Sequence, residues 1–202
     1  MMTAEELFNS AVKWLKENYR NHTFYLERDI VWTLQNKLLD IIKANKLPFD
    51  VFNDITIYRW TDNSNKKRKI APDLIIICKD KVQRTQRNLI KGLELPAELV
   101  LELKYQPSYK RKEIDIPRTK FPAVFWSNGS SSTIIGDIKR ISKCIQCGKT
   151  NIAYAMFIDE GGGSPFNGKI DGLTNISRWE HWDQDNEGLS VLKTILYRNG
   201  QA

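Results

Sequence analysis

Two short segments, residues 70–78 and 98–105, restrict this chain more than any other part of it. Positions 74–78 hold only Leu, Ile and Cys, which suits a strand covered on both faces. Pro72-Asp73 stands at the mouth of that strand, where a carboxylate loses solvation unless something pairs with it. The second segment alternates. With a side-chain period of two, Val100, Glu102 and Lys104 share one face, and Leu99, Leu101, Leu103 and Tyr105 share the other. If the two strands are neighbours, Asp73, Glu102 and Lys104 converge on one point.

Two carboxylates and an amine so placed suit a hard divalent cation. Mg²⁺ usually takes one or two protein carboxylates and completes its shell with water and phosphate oxygens. Such a site hydrolyses phosphodiesters, with Lys104 orienting or deprotonating the attacking water or stabilising charge on the phosphate. The plainer reading of Glu102-x-Lys104 is a cross-pleat ion pair on a wet strand. Glu27 adds weight to the first. Residues 23–45 read as one helix with Phe24, Val31, Leu34, Leu38 and Ile41 at three-and-four spacing, and Glu27 falls in that apolar series. A carboxylate on a core-facing stripe needs a cation or donors beside it. Alternatively, Glu27 is a first-turn glutamate favoured by the helix dipole and turned outward. Arg28 and Asp29 read as surface charges.

Glu27 on a helix, then Pro72-Asp73, then Glu102-x-Lys104 resembles the PD-(D/E)XK, or restriction-endonuclease-like, nuclease superfamily. The resemblance covers residues 23–160 and extends, in residues 27–34, 120–126 and 152–162, to uncharacterised prokaryotic members. It implies an α/β fold: a three-layer core with a mixed central β-sheet flanked by helices, in the order α-α-β-β-β-α-β. It also implies a Mg²⁺-dependent endonuclease, with Mn²⁺ able to substitute. By motif match Asp73, Glu102 and Glu27 are the metal ligands, and Lys104 is the catalytic lysine. The role implied is restriction, defence or repair. A catalytically silent nucleic-acid-binding module of the same fold and an RNA- or structure-specific nuclease are the alternatives.

A chain of 202 residues is long enough for one well-buried core, so a single domain is expected, with 164–202 as an extension of it. Net charge is +7 and the isoelectric point is near 9.2, which suits a polyanion, DNA ahead of RNA. No apolar run approaches a signal peptide or a membrane span, so no membrane partner is expected. With three cysteines in addition, the expected location is cytoplasmic. A homodimer is compatible with cutting both strands of a duplex.

In chain order, Thr3-Ala4-Glu5-Glu6 is a capping box for a first helix, and Thr23 is the expected cap of the second, which Pro48 ends. One strand is expected over 51–60, carrying Asp54. Lys66, Lys67, Arg68 and Lys69 then form a basic hairpin tip, either a solvated edge guard or a contact for a nucleic-acid backbone. Residues 106–132 interleave Lys110, Arg111 and Lys112 with aromatics, as a loop that neutralises phosphates and stacks on bases would. A helix over 133–147 carries Ile134, Ile138, Ile141 and Ile145 on one stripe, with Gly148 as its C-cap. Lys139 and Arg140 lie off that stripe, facing either a phosphate backbone or water. Residues 152–158 form a buried strand, and 189–197 fits a strand or a short helix. The lone pair Cys144-x-x-Cys147 lacks the further ligands of a zinc site.

Overall fold

Apolar residues at helical spacing form the first helix, α1 (Ala4–Asn18), whose Leu7, Phe8, Ala11, Val12 and Leu15 are buried. Its start is a reciprocal cap: the Glu6 N–H donates to Thr3 Oγ1 at 3.1 Å, and the Thr3 N–H donates to Glu6 Oε2 at 2.7 Å. This computed structural model describes residues 2–61, 65–81, 97–108, 134–160, 176–182 and 189–198.

The second helix, α2 (Glu27–Asn45), begins one turn later than Thr23 would place it. Asp29 sets the start. Its Oδ2 accepts from the backbone N–H groups of Tyr25 and Leu26, each at 2.9 Å, and the Leu26 carbonyl accepts from the Asp29 N–H at 3.0 Å. A residue that reads as a surface charge therefore satisfies the backbone donors ahead of the helix. Lys46 closes it in the left-handed region at φ 50°, with the Leu47 N–H donating to the Ile42 carbonyl, just ahead of Pro48.

The strand expected over 51–60 is two strands in different sheets. β1 (Phe49–Phe52) ends before Asn53-Asp54, where Asp54 takes φ 55°, a conformation Asp tolerates better than most residues. β2 (Tyr58–Thr61) pairs with β3 (Lys67–Ile70) in a separate two-stranded sheet. The buried run follows as β4 (Leu74–Cys78), then β5 (Ala97–Gln106). Helix α3 (Ile134–Gln146) precedes β6 (Thr150–Asp159), and β7 (Ile176–His181) and β8 (Ser190–Tyr197) complete the described elements. Gly148 does end α3, at φ 67°. The Lys149 N–H donates to the Cys144 carbonyl at 2.8 Å, and an added Cβ would meet the Arg198 guanidinium at 3.1 Å.

The main sheet has six strands in the order β1-β4-β5-β6-β8-β7. The β5–β6 pairing is parallel and the other four are antiparallel, so the sheet is mixed. Leu99, Leu101, Leu103 and Tyr105 face α1 and α2, whereas Ala97 and Val100 face α3. The arrangement is a three-layer α/β fold, and from Leu99 to Tyr105 the two faces of β5 divide as its alternation predicts, whereas Ala97 at the strand's start packs on the α3 side against it. Of the stretch 189–197, Ser190–Tyr197 is a strand, paired with β6 at every position.

Candidate active site

Antiparallel pairing of β4 with β5 sets Leu74 opposite Leu101, so one step further the register brings Asp73 to Glu102. Asp73 is held there: its Oδ2 accepts from the Leu103 N–H at 2.6 Å. The face of β5 that carries Val100 also carries Glu102 and Lys104, and α3 lies over it. Arg140 of α3 grips Glu102 with two hydrogen bonds, Nε to Oε1 and Nη2 to Oε2, both 3.0 Å. The same Nη2 also contacts Asp137 Oδ1. From the opposite layer, Glu27 at the first position of α2 reaches Lys104, whose Nζ lies 3.3 Å from each Glu27 oxygen. Asp137 Oδ2 sits 3.3 Å from that ammonium, an ionic contact without hydrogen-bond geometry.

The four residues expected to form the site, Glu27, Asp73, Glu102 and Lys104, are thus brought together. Asp137 belongs with them and the sequence reading passes over it. It stands three residues after Ile134 and four before Ile141, inside the apolar stripe of α3. The same signal, a carboxylate in a core-facing series, singled out Glu27. Arg140, expected to face a phosphate backbone or water, turns inward to pair with two buried carboxylates beneath α3 and keeps 31 % of its side chain in solvent. Lys139, its neighbour, is exposed.

Burial governs the titration of this cluster. It pushes the Glu102 carboxyl up to about 8, helped by the Asp73 charge and opposed by Arg140. It lifts Glu27 to about 7 against the pull of Lys104, and raises Asp73 and Asp137 as well. Burial alone would lower the Lys104 ammonium, but Glu27, Asp137, Asp73 and Glu102 together outweigh it and hold Lys104 above its usual value. Lys104 is therefore a fixed positive charge, suited to steadying an anion and unsuited to accepting a proton.

Four carboxylates against the two cations Lys104 and Arg140 leave two negative charges in excess when all are ionised. An all-oxygen donor set with that deficit suits Mg²⁺ or Mn²⁺. Among the described residues, no group of three or more His, Cys, Asp and Glu side chains is arranged to hold an ion. Mg²⁺ needs only one or two carboxylates, so Asp73 and Glu102 match it in number and chemistry, with Glu27 one further donor. Glu27 and Asp73 also line an open cleft of about 450 Å³, together with Leu26, Trp32, Asn53 and Asp54.

The remaining expected contacts are the basic runs at 66–69 and 110–112. Lys66 precedes β3, and Lys67, Arg68 and Lys69 lie on it, all four exposed. Lys110, Arg111 and Lys112 lie outside the described residues. Glu160, at the end of β6, accepts hydrogen bonds from the Tyr19 hydroxyl and the Ser108 N–H, each at 3.0 Å. Among the described residues, no helix is long and apolar enough to cross a membrane.

Comparison with protein-family models, with curated proteins and with solved structures gives no significant match.

Proposed function

We propose that this chain is a metal-dependent endonuclease that hydrolyses phosphodiester bonds, in DNA ahead of RNA, with a restriction, defence or repair role. One observation carries the reading: Asp73 and Glu102 meet across two antiparallel strands, with Lys104 two residues further along β5 and Glu27 delivered by α2. In this reading Asp73 and Glu102 hold Mg²⁺, with Glu27 as a further ligand. The ion supplies Lewis-acid polarisation of the phosphate and acidifies water at the site. Lys104 keeps its proton and steadies negative charge growing on the phosphate oxygens. The Arg59, Lys67 and Lys69 side chains of the hairpin, four residues or more from Asp73 along the chain, would hold the polyanion.

A cleavage assay on plasmid, single-stranded DNA and RNA with Mg²⁺ or Mn²⁺ tests this. Asp73→Asn keeps an oxygen for the Leu103 N–H and removes the charge. We expect it to lose cutting on every substrate while melting near the native temperature. Native-like cutting by Asp73→Asn would refute the assignment.

A second reading has its own support. Arg140 occupies both oxygens of Glu102, and Lys104 bridges Glu27 and Asp137, so the cluster is already partly neutralised from within. That self-pairing favours a silent nucleic-acid-binding module. Metal-independent binding with no cutting of any substrate would select it.

A further inference from the structure

The proposed activity gives Glu27, Asp73, Glu102 and Lys104 a task and leaves Arg140 with none. Arg140 nevertheless makes a two-point contact on Glu102, Nε donating to Oε1 and Nη2 to Oε2, both at 3.0 Å. Two such bonds from one guanidinium run parallel and use the inward-facing lone pairs of both carboxylate oxygens. A cation chelated by both oxygens of a carboxylate uses those same lone pairs. The two contacts are therefore exclusive. With Arg140 in place, Glu102 offers a cation one oxygen at a time, through an outer lone pair.

Both partners of this fork are held from behind. Ile138 and Ile141, which flank Arg140 on α3, are fully buried, and Arg140 Nη2 also contacts Asp137 one turn earlier. The Glu102 side chain is 3 % exposed and stands beside Ala155 of β6, which has no polar side-chain atom to offer it. Turning either partner away would strand a buried charge. The other carboxylates are also engaged. Asp73 Oδ2 accepts from the Leu103 N–H at 2.6 Å, and each Glu27 oxygen lies 3.3 Å from Lys104 Nζ.

Divalent cations differ in what they ask of such a set. Ca²⁺ gathers roughly six to eight oxygens and readily takes both from one carboxylate. Mg²⁺ demands near-octahedral order, keeps several waters and needs only one or two carboxylates; Mn²⁺ suits similar oxygen ligands. We infer that Arg140 is a specificity-determining residue: by holding both oxygens of Glu102 it denies two-oxygen chelation and sets the cluster for Mg²⁺ or Mn²⁺ against Ca²⁺. The inference rests on the metal-dependent reading above and adds which ion the chain selects and by what means. It also gives the internal pairing of Glu102 a use other than silencing the site.

Binding measured without any nucleic acid tests it. Mn²⁺ bound to the full chain is followed by electron paramagnetic resonance while Mg²⁺ or Ca²⁺ is added as competitor. We expect Mg²⁺ to displace Mn²⁺ from the native chain at lower concentration than Ca²⁺ does. Arg140→Lys keeps the positive charge and loses the planar fork, and Arg140→Gln loses both. Each should move the preference toward Ca²⁺ by about tenfold, the scale on which the partners of metal ligands act. A purely structural role for Arg140 would weaken both ions alike and leave their ratio as it is. A native ratio in either variant, with a cooperative melt showing that the variant is folded, overturns the inference. So does a native chain that takes Ca²⁺ ahead of Mg²⁺. Mn²⁺ binding that is lost in Asp73→Asn upholds the metal-dependent reading whichever way the ratio falls. A native chain that binds no Mn²⁺ ends both.

Discussion

The carboxylate cluster under α3 and the basic hairpin β2–β3 each gather charges of one sign, and they differ in what surrounds those charges. Inside, Glu102 and Asp137 are almost wholly removed from water, and the protein supplies Arg140 and Lys104 as partners within about 3.3 Å. Outside, Arg59 lies directly opposite Lys69, with Lys67 on the same face, and all three are exposed. Like charges opposite each other weaken a strand pair, but in water and salt the penalty is small. Burial converts a modest repulsion into one the fold must answer with ion pairs. The exposed hairpin leaves its own to water and salt.

The sharpest way to break this comparison is Arg140→Ala. It strands Glu102 and Asp137 without their guanidinium, and a broken buried pair costs about 3–5 kcal/mol. Arg140 keeps a third of its side chain in solvent, which discounts the expected loss to about 2 kcal/mol. Urea unfolding measures it, and Mn²⁺ or Mg²⁺ added to the variant should return part of the lost stability. A variant as stable as the native chain would show that the cluster needs no internal cation.

Next in size is the pH dependence. Glu27 and Glu102 are raised from 4.5 to about 7 and about 8, so the folded chain prefers them protonated. Their contribution is complete below about pH 4.5 and is lost as pH rises through about 7 and 8. In EDTA, thermal melts should therefore fall from about pH 5 to about pH 9, and Mg²⁺ should flatten the fall by holding the carboxylates ionised. The same slope with and without Mg²⁺ would argue against a cation at the cluster.

The smallest effect belongs to the hairpin. Arg59→Glu turns a like pair with Lys69 into an opposite one and should stabilise the chain by about 0.2–1 kcal/mol. The same change should weaken nucleic-acid binding and lower its salt dependence by about one or two phosphate contacts, read from affinities at several salt concentrations. Tighter binding in the variant would remove the hairpin from the interface.

Legibility in the sequence followed the same division between local and long-range causes. Period-two alternation in β5 was enough to separate Glu102 and Lys104 from Leu101 and Leu103, because a strand's faces depend only on position along it. The unbroken apolar run of β4 likewise announced burial on both sides. The start of α2 was misplaced because its cap is Asp29 reaching backwards to Tyr25 and Leu26, while Thr23 offers a nearer, conventional cap that is not used. The break at Asn53-Asp54 was masked by β-branched neighbours on both sides. The inward turn of Arg140 was hidden for a different reason. A cation beside an apolar stripe looks like a wet face until Glu102, 38 residues earlier, is known to lie beneath it. Asp137 was readable in principle, by the argument applied to Glu27.

Strand order has a consequence for folding. β6 lies between β5, formed earlier in the chain, and β8, which begins about thirty residues after β6 ends. Until β8 is in place, β6 presents a free edge along which positions 153–159 are buried in the finished protein. An uncovered apolar edge of that length is a template for pairing with another chain. Completion of the sheet must wait for β8, so partly folded chains in which β8 has not docked can pair with one another before the fold closes.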